Sequence, residues 1–201
     1  MQLPELAPFI ERLRRTLAGR AAVTVDRPEA KRAAVALLVA GGGEPAILFI
    51  RRKERSGDPW SGQMALPGGF AAAGDASLEA TARRETAEET GIELDAAATL
   101  LGALDDVSPR TPYLPPIVVR PFAFLLPDRV EPAPGPEVEA AVWLPASQLF
   151  SPSFRRPFRL TLPGEVREFP SIVIGEYTIW GLTERVLNQL AEMRVVAPDP
   201  G

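Results

Sequence analysis

Three glutamates, Glu85, Glu88 and Glu89, lie close together in the stretch ARRETAEETGIEL. In a helix, their i, i+3 and i+4 spacing stacks the side chains on one face. Like charges on one face repel each other, and the macrodipole disfavours negative charge near a helix C-terminus. A divalent cation would reverse this repulsion, so the spacing favours a metal site. The alternative is an ordinary solvated face whose charge is partly neutralised by the two preceding arginines.

The chain of 201 residues contains neither histidine nor cysteine. A Ser-His-Asp triad, a histidine base, a histidine zinc site and a thiolate nucleophile are therefore excluded. Acid–base and metal chemistry must rest on carboxylates, lysine, tyrosine or water. Because carboxylate oxygens suit hard cations, the predicted metal is Mg²⁺ or Mn²⁺.

Sequence signals for the ends of a helix bracket these glutamates. Asp75 or Ser77 can cap the N-terminus, and Gly91 can supply the left-handed residue just past the C-terminus. Upstream, the turn LPGG ends in Gly68 and Gly69, which let backbone groups approach a ligand or ion closely. Together the turn and the helix predict a cradle for a metal-bound diphosphate.

The stretch GGFAAAGDASLEATARRETAEETGI resembles the Nudix box, the loop–helix–loop signature of hydrolases that cleave nucleoside diphosphates linked to another group. The second half of the box matches at Arg84, Glu85, Glu88, Glu89, Gly91 and Ile92. In the first half, Ala76 occupies the expected glutamate position and Asp75 stands one place earlier, as though one residue were inserted. Thr86 stands where the box has an apolar residue.

The resemblance implies a Nudix fold, an α/β (α+β) sandwich with a mixed β-sheet flanked by helices. It implies that Glu85 and Glu89 are the main metal ligands and that Glu88 binds directly or through water. A backbone carbonyl of Gly68 or Gly69 would add a further ligand. These ligands would hold Mg²⁺ or Mn²⁺ against the diphosphate of a small nucleoside diphosphate substrate.

Catalytic and orienting roles follow from the same resemblance. Arg84 would orient the glutamates through charge-assisted hydrogen bonds, and Gly91 would end the helix. The general base would be Glu85 or Glu137, the latter because members often bring a carboxylate from a later loop. Glu137 and Glu139 fit equally well as solvent-facing charges at a strand edge.

Other candidates for substrate contact precede and follow the box. Arg52 belongs to the basic run IRRKERS and can contact phosphate, but alternation along a strand means that the basic residues of this run cannot all face one site. Trp60 and Tyr113 can stack on a base, with ordinary packing as the alternative for both.

Further stretches resemble the coenzyme A pyrophosphatase branch, whose members cleave coenzyme A to 4′-phosphopantetheine and adenosine 3′,5′-bisphosphate. They are SGQMALPGG, DASLEATARRE, PEVEAAVWLPASQL and IWGLTERVLNQL. Three residues depart from that branch: Trp60 replaces a histidine, Leu66 a phenylalanine and Ala72 an aspartate. Hydrolysis of ADP-ribose, NADH or a dinucleotide therefore stays open. So do a non-catalytic nucleotide-binding module and a structural protein with a charged helix.

The elements predicted around the box indicate a single domain over 1–201. An apolar stripe of Phe9, Ile10, Leu13 and Leu17 predicts a helix over about 5–20, packed on the domain or on a second subunit. Residues 32–40 and 45–53 predict paired strands joined by a glycine-rich turn, and 181–193 a final helix. Strands are also predicted over 98–107, 116–126, from 139 before a short helix, 158–163 and 167–180.

Composition bounds the partners and the location. A formal charge of −4 disfavours nucleic acid as the primary partner. The N-terminus lacks the features of a signal peptide, and AAVALLVA is far too short to span a bilayer. We therefore expect a cytoplasmic protein that binds no membrane and that can form a homodimer.

Overall fold

The computed structural model describes residues 8–57, 60–109, 114–162, 165–193 and 195. A mixed sheet of seven strands contains β1 (Lys31–Ala40), β2 (Ala46–Arg52), β3 (Met64–Ala65), β4 (Gly68–Phe70), β5 (Thr99–Ala103), β6 (Ile117–Leu126) and β7 (Val138–Pro145). A three-stranded antiparallel sheet contains β8 (Arg155–Leu162), β9 (Glu165–Ile174) and β10 (Tyr177–Trp180). The helices are α1 (Pro8–Leu17), α2 (Leu78–Thr90), α3 (Leu94–Ala97), α4 (Ala146–Leu149) and α5 (Gly181–Glu192), with a 3₁₀ turn at Pro152–Phe154.

Strand β1 organises the larger sheet. One edge of β1 pairs in parallel with β6 over its whole length. The other edge is divided, because its last residues pair with β2 and residues 33–35 pair with β4. The predicted pairing of β1 with β2 across the glycine-rich turn is confirmed. The divided edge also brings the short strand β4, just before the predicted metal helix, against the start of β1.

Hydrophobic residues pack on both faces of this sheet. Alternate residues of β1 enter different clusters, Leu37 and Val39 on one face and Ala36 and Leu38 on the other. The first cluster includes buried residues of α1 and α5, and the second includes Ala82 of α2. The predicted fold class, a mixed sheet flanked by helices, is confirmed.

Helix α1 packs within the chain. Its four predicted apolar residues are all buried in the main cluster. The Arg12 Nε donates to the Val195 carbonyl at 2.7 Å, and α1 passes so close to β5 that a Cβ on Gly102 would lie 3.1 Å from the Leu17 carbonyl oxygen. Of the two predicted positions, packing on the domain is therefore the observed one. The predicted helix residues before Pro8 lie outside the described residues.

Three predicted boundaries are wrong. The segment MALPGG forms the strands β3 and β4 around its proline, rather than a turn alone. Strand β8 begins at Arg155, ahead of the predicted start. Strand β5 ends at Ala103, because the following Asp105 and Asp106 turn to accept backbone N–H groups of residues 23 and 25.

Within the described residues, no helix is both long and apolar enough to cross a membrane. The cytoplasmic location stays a prediction.

Candidate active site

The ends of α2 are fixed by residues on both sides of the glutamates. Ser77 is the N-cap, with its side chain accepting the Ala80 N–H, so the alternative cap at Asp75 is wrong. At the other end, Gly91 has φ +69° and donates its N–H to the Ala87 carbonyl, as predicted. Two more carbonyls of the last turn accept N–H groups of residues 133 and 135, at 2.7 and 3.0 Å. These extra donors stabilise a helix end that acidic residues would otherwise weaken.

Asp75 positions the arginine of the box. Its carboxylate accepts from Arg84 Nε at 2.9 Å and from Arg84 Nη2 at 3.0 Å. The Ala72 N–H and the Thr81 hydroxyl donate to the same carboxylate at 2.9 and 2.8 Å. The Arg84 hydrogen bonds, followed by these two donors, hold the pKa of Asp75 well below its usual range. Although it stands one place before the expected acidic position, Asp75 therefore contacts the arginine of the box from the loop before α2.

Arg84 in turn contacts two of the three glutamates. Its Nη1 donates to Glu85 Oε1 at 2.8 Å and to Glu88 Oε2 at 3.3 Å. The pKa of Arg84 is raised, first by its bond to Asp75. Arg84 therefore links Asp75 to Glu85 and Glu88, and its orienting role stays a prediction.

Threonine hydroxyls replace apolar contacts on the buried face of α2. Thr86, at the position expected to be apolar, is fully buried and donates to the Ala82 carbonyl at 2.7 Å. Thr90 is equally buried and donates to the Thr86 carbonyl at 2.7 Å. Because each hydroxyl has a partner, the departure at Thr86 leaves no buried polar group unsatisfied.

Glu89 is the buried member of the glutamate set. Its side chain is 6% exposed, and its Oε2 accepts the Gly68 N–H at 2.8 Å. Burial raises the pKa of Glu89 to about 7, and the charges of Glu85 and Glu137 raise it further, while the Gly68 bond and Arg52 oppose the shift. A carboxylate in these surroundings is better stabilised by a cation than by water.

The two glycines of β4 are required for different reasons. Gly68 has φ +154°, and a Cβ there would lie 2.3 Å from the Ala34 carbonyl oxygen of β1. A Cβ on Gly69 would instead lie 2.5 Å from the carboxyl carbon of Glu85. Gly69 therefore leaves the space that the Glu85 carboxylate occupies.

A cavity of about 320 Å³ lies in front of these residues. Seven of the predicted site residues line it, namely Arg52, Trp60, Gly68, Gly69, Glu85, Glu89 and Glu137. Arg84 of α2 and Gly91 just past its end are not on its wall, and neither is Glu88, whose side chain is 59% exposed. Tyr113 lies outside the described residues.

The end of β2 brings Glu137 to the cavity. The Lys53 N–H donates to the Glu137 carbonyl at 3.0 Å, and Arg55 Nη1 donates to the Glu137 carboxylate at 2.9 Å. Glu139, by contrast, pairs with Arg51 at 3.4 Å away from the cavity. The strand-edge interpretation therefore describes Glu139, whereas Glu137 shares a cavity with Glu85 and Glu89.

Neighbouring arginines of the basic run before the box face different sides of β2, as alternation along a strand requires. Arg51 pairs with Glu139 and with Glu176 on the surface, and Arg52 faces the cavity. Trp60 both lines the cavity and packs against the main hydrophobic cluster, so the two interpretations of Trp60 are compatible.

A second wall of the cavity was not identified from the sequence. It is apolar and comes from β1, β6, the end of β10 and α5, with Val35, Val119, Trp180, Leu182 and Val186 as examples. No local pattern marks these residues, because they are far apart in the chain and typical of ordinary cores. The one signal was the resemblance of IWGLTERVLNQL, which contains three of them.

Comparison with known proteins identifies the family. The sequence profile of the NUDIX domain matches residues 30–162. The chain belongs to the Nudix family. A Nudix hydrolase NudL from Photorhabdus laumondii is 31% identical over 163 residues, 81% of this chain and 84% of that protein. An uncharacterised protein of Schizosaccharomyces pombe is 39% identical over 146 residues, and this chain spans only 44% of its length.

Solved structures agree on the fold. A MutT/nudix family protein from Enterococcus faecalis has a TM-score of 0.52 at 19% identity, over 84% of this chain and 64% of that one. Membership of the Nudix family confirms the predicted enzyme class, a hydrolase of diphosphate bonds. Nudix hydrolases generally use a divalent metal ion.

The donor set of the Nudix site fits such an ion. Within the described residues, no three acidic side chains lie close enough together to form a ready-made metal site. Mg²⁺, however, binds in proteins through one or two carboxylates and completes its shell with water and substrate phosphate. The buried Glu89 and the Glu85 carboxylate beside Gly69 provide two oxygen donors of this kind on one cavity.

Proposed function

We propose that this Nudix hydrolase cleaves the diphosphate bond of a nucleoside diphosphate derivative in a reaction dependent on Mg²⁺ or Mn²⁺, with coenzyme A or an acyl-CoA as the leading substrate. The observation that carries the proposal is the convergence of Glu85, Glu89 and Glu137 with Arg52 on one cavity. Three carboxylates and a single arginine repel a bare diphosphate, and bound cations would remove that repulsion.

Glu85 and Glu89 are the proposed metal ligands, with the Gly69 carbonyl as a further donor. The exposure of Glu88 and its bond to Arg84 favour a contact through water for this residue. When bound, the cation supplies charge neutralisation for the diphosphate and lowers the pKa of an attacking water. Asp75 and Arg84 hold the Glu85 carboxylate in place, and Arg52 can donate hydrogen bonds to a phosphate oxygen.

Glu137 is the stronger of the two candidates for general base. A carboxylate that binds a cation is less basic, which weakens the case for Glu85. Glu137 reaches the cavity from β7, and Arg55 fixes one of its carboxylate oxygens. Glu137→Gln should lower kcat without changing the metal dependence, whereas Glu85→Gln should alter both.

Two resembling segments support the coenzyme A assignment. SGQMALPGG contributes Gln63, Met64 and Leu66 to the cavity wall, and IWGLTERVLNQL contributes Trp180 and Leu182. Segments separated by more than 100 residues in the chain thus meet at one site. Of the three departures, Trp60 and Leu66 also line the cavity, so ADP-ribose, NADH and dinucleotides stay as alternative substrates.

The test is product analysis with purified protein and Mg²⁺ or Mn²⁺ on coenzyme A, ADP-ribose, NADH and dinucleoside polyphosphates. We expect 4′-phosphopantetheine and adenosine 3′,5′-bisphosphate from coenzyme A at the highest rate, and no turnover in Glu89→Gln. Faster cleavage of another diphosphate would remove the coenzyme A assignment and keep the mechanism. Nucleotide binding without metal-dependent turnover would favour a non-catalytic module instead.

The organisation of the molecule belongs to the same proposal. We propose one Nudix domain over 1–201 in the cytoplasm, acting on a small molecule rather than on nucleic acid or a membrane. A homodimer would have to use a surface other than the apolar face of α1, since that face is buried within the chain. Sedimentation of the purified protein at several concentrations would test the dimer.

A further inference from the structure

The cavity changes character from one side to the other. The four charged side chains on its described wall come from β2, from α2 and from Glu137 just before β7. The apolar wall comes from the first residues of β1 and β6, from Trp180 at the end of β10 and from the first turns of α5. In the sheet, Gly68 pairs with Val35 of β1, and Ala33 of β1 pairs with Val119 of β6. The step from β4 to β6 is two strand spacings, about 10 Å, so the apolar wall begins at Val35 beside Gly68 and extends about 10 Å from β4 to Val119 of β6.

The apolar wall excludes charge. Among the described lining residues from β1, β6 and α5, none is charged, and Thr183 is the one with a hydroxyl group. Gln63, from the loop before β3, offers an amide next to this wall. A group enclosed here would therefore be uncharged and largely apolar, with a small number of polar atoms.

The helix that forms this wall is held rigidly. Glu184, 5% exposed, pairs with Arg155 of β8 at 2.6 Å. The Trp180 ring stacks on Phe158 with 4.3 Å between centroids. Farther along α5, Gln189 exchanges hydrogen bonds with the backbone of Asp105, at 2.9 and 3.0 Å. A wall fixed at three points is suited to selecting a ligand by shape.

Side chains on this wall remain partly exposed. Val35, Trp180 and Leu182 are each intermediate between buried and exposed, although Val35 and Leu182 pack against the main hydrophobic cluster. Partly exposed apolar side chains around a concave site favour binding of an apolar group, because such a group removes their surface from water.

We propose that the first turns of α5 determine substrate specificity, with Trp180, Leu182 and Val186 packing against the uncharged group that the substrate carries beyond its diphosphate. This inference rests on the proposed function and adds which part of the substrate, the uncharged group beyond the diphosphate, the site selects. Any additional phosphate of the substrate lies away from this wall. Leu182 is the best residue to alter, because it lines the cavity and is not fully buried.

The experiment compares 3′-dephospho-coenzyme A with ADP-ribose, which share the ADP half and differ only in the group attached to it. We expect the wild-type KM to be lower for 3′-dephospho-coenzyme A. Leu182→Ala should raise that KM about tenfold and leave kcat within about twofold, while the KM for ADP-ribose changes less than about twofold. Leu182→Trp, whose larger side chain fills the space beside this wall, should raise the KM for 3′-dephospho-coenzyme A at least as much.

Met193→Ala is the matched control. Met193 lies just past the end of α5 and packs against the same hydrophobic cluster without lining the cavity. The substitution therefore removes apolar contact with the core but none with the cavity. It should change neither KM. Coenzyme A itself should behave like 3′-dephospho-coenzyme A, because the extra phosphate lies elsewhere.

Equal effects of Leu182→Ala on the KM of both substrates, or a lower wild-type KM for ADP-ribose, would contradict the proposed role of this wall in specificity. Either result would leave the proposed hydrolysis unaffected. If neither compound is turned over, the proposed function fails on these substrates. Calorimetry with the same two compounds then decides the inference, since Leu182→Ala must weaken binding of 3′-dephospho-coenzyme A selectively.

Discussion

Helices α2 and α5 border the same cavity with opposite kinds of surface. The buried residues of α5 include the apolar stripe Val186, Leu187 and Leu190, together with Glu184 and Gln189. The buried face of α2 carries three threonines and Glu89. On the cavity, α2 presents the carboxylates of Glu85 and Glu89, whereas α5 presents Leu182, Thr183 and Val186. The part of the α5 stripe away from the cavity is explained by folding alone, and the carboxylates of α2 are explained by the cation that we propose the cavity holds.

The comparison predicts that substitutions on the two helices separate activity from stability. Changes to the carboxylates of α2 should reduce turnover and leave the fold intact. Changes to the stripe of α5 away from the cavity should do the reverse.

After Glu89→Gln, for which we expect no turnover, the largest effect is expected for Glu85→Gln. Loss of this carboxylate should lower kcat/KM about 1000-fold, because metal-based charge stabilisation contributes several kcal/mol to the barrier. The free energy of unfolding should change by less than about 1 kcal/mol, since the amide keeps the shape of the side chain and the lost ionic partner, Arg84, is 31% exposed and keeps its bonds to Asp75. Steady-state kinetics and urea unfolding measure the two quantities. Glu93→Gln, exposed just past the helix, is the control, and a loss below tenfold in Glu85→Gln would contradict the assignment.

The reverse behaviour is expected for Leu187→Ala. Leu187 is fully buried in the main cluster and does not line the cavity. Truncation should reduce the free energy of unfolding by about 2–5 kcal/mol through lost burial and a residual cavity. The kcat of the folded fraction should stay within about twofold of the wild type. Asn188→Ala, one residue along and half-buried, is the control. Comparable losses of stability in both variants would contradict the comparison.

The stability of the metal-free protein should fall as pH rises from about 5 to 8. The folded state raises the pKa of Glu89 from 4.5 to about 7, so over this window it holds a proton that the unfolded chain has released. Stability is then highest at the acidic end and declines by about 2–3 kcal/mol as pH passes the folded pKa. No histidine is present to add a titration of its own in this range.

Urea unfolding at several pH values would measure this slope, and Glu89→Gln should flatten it. Saturating Mg²⁺ should also reduce the slope in the wild type, since the cation binds the ionised form. A slope that persists unchanged in Glu89→Gln would assign the titration to another group.

A smaller effect is expected for Asp75→Asn. The amide keeps the shape of the carboxylate but weakens its two bonds to Arg84, which loosens the orientation of Glu85. We expect kcat/KM to fall about 10–100-fold, with an increased requirement for Mg²⁺. Asp75→Glu should recover part of the loss. Asp95→Asn is the matched control, because Asp95 pairs with the neighbouring Arg83 on the surface.

The smallest effect is expected for Gly69→Ala. The new methyl group would occupy the space of the Glu85 carboxylate, which can rotate away at little cost to stability. Displacing this ligand should lower kcat/KM about tenfold. Gly74→Ala, with no atom within 4 Å of the added Cβ, should be neutral, and equal activities of the two variants would remove the proposed role of Gly69.

The parts of the site that the sequence predicted are those whose geometry is local. Helical periodicity is enough to place Glu85 and Glu89 on one face, and Gly91 marks the end of the helix through a conformation that other residues rarely adopt. The spacing also showed that Asp75 stands one place before the expected acidic position, but only the fold showed that its carboxylate still reaches Arg84. The loop between β4 and α2 accommodates the extra residue.

The positions of Glu137 and Leu182 were beyond local inference. Glu137 lies 48 residues after Glu89 in the chain and reaches the cavity because β7 pairs with β2. Leu182 reaches it because α5, which packs against β9 and β10, borders the same cavity as the first residues of β1 and β6. Neither contact follows from periodicity, since both depend on which strands become neighbours.

The sequence by itself determined the chemistry available to this protein. The absence of histidine and cysteine leaves carboxylates, lysine, tyrosine or water for acid–base and metal chemistry, and the glutamate spacing favours a hard cation. The tertiary structure alone decided which carboxylates share a cavity, that Glu89 is buried beside Gly68, and that an apolar wall faces them. The physical reason is that residue type and helical spacing are properties of the chain, whereas burial and convergence depend on strand pairing between distant segments.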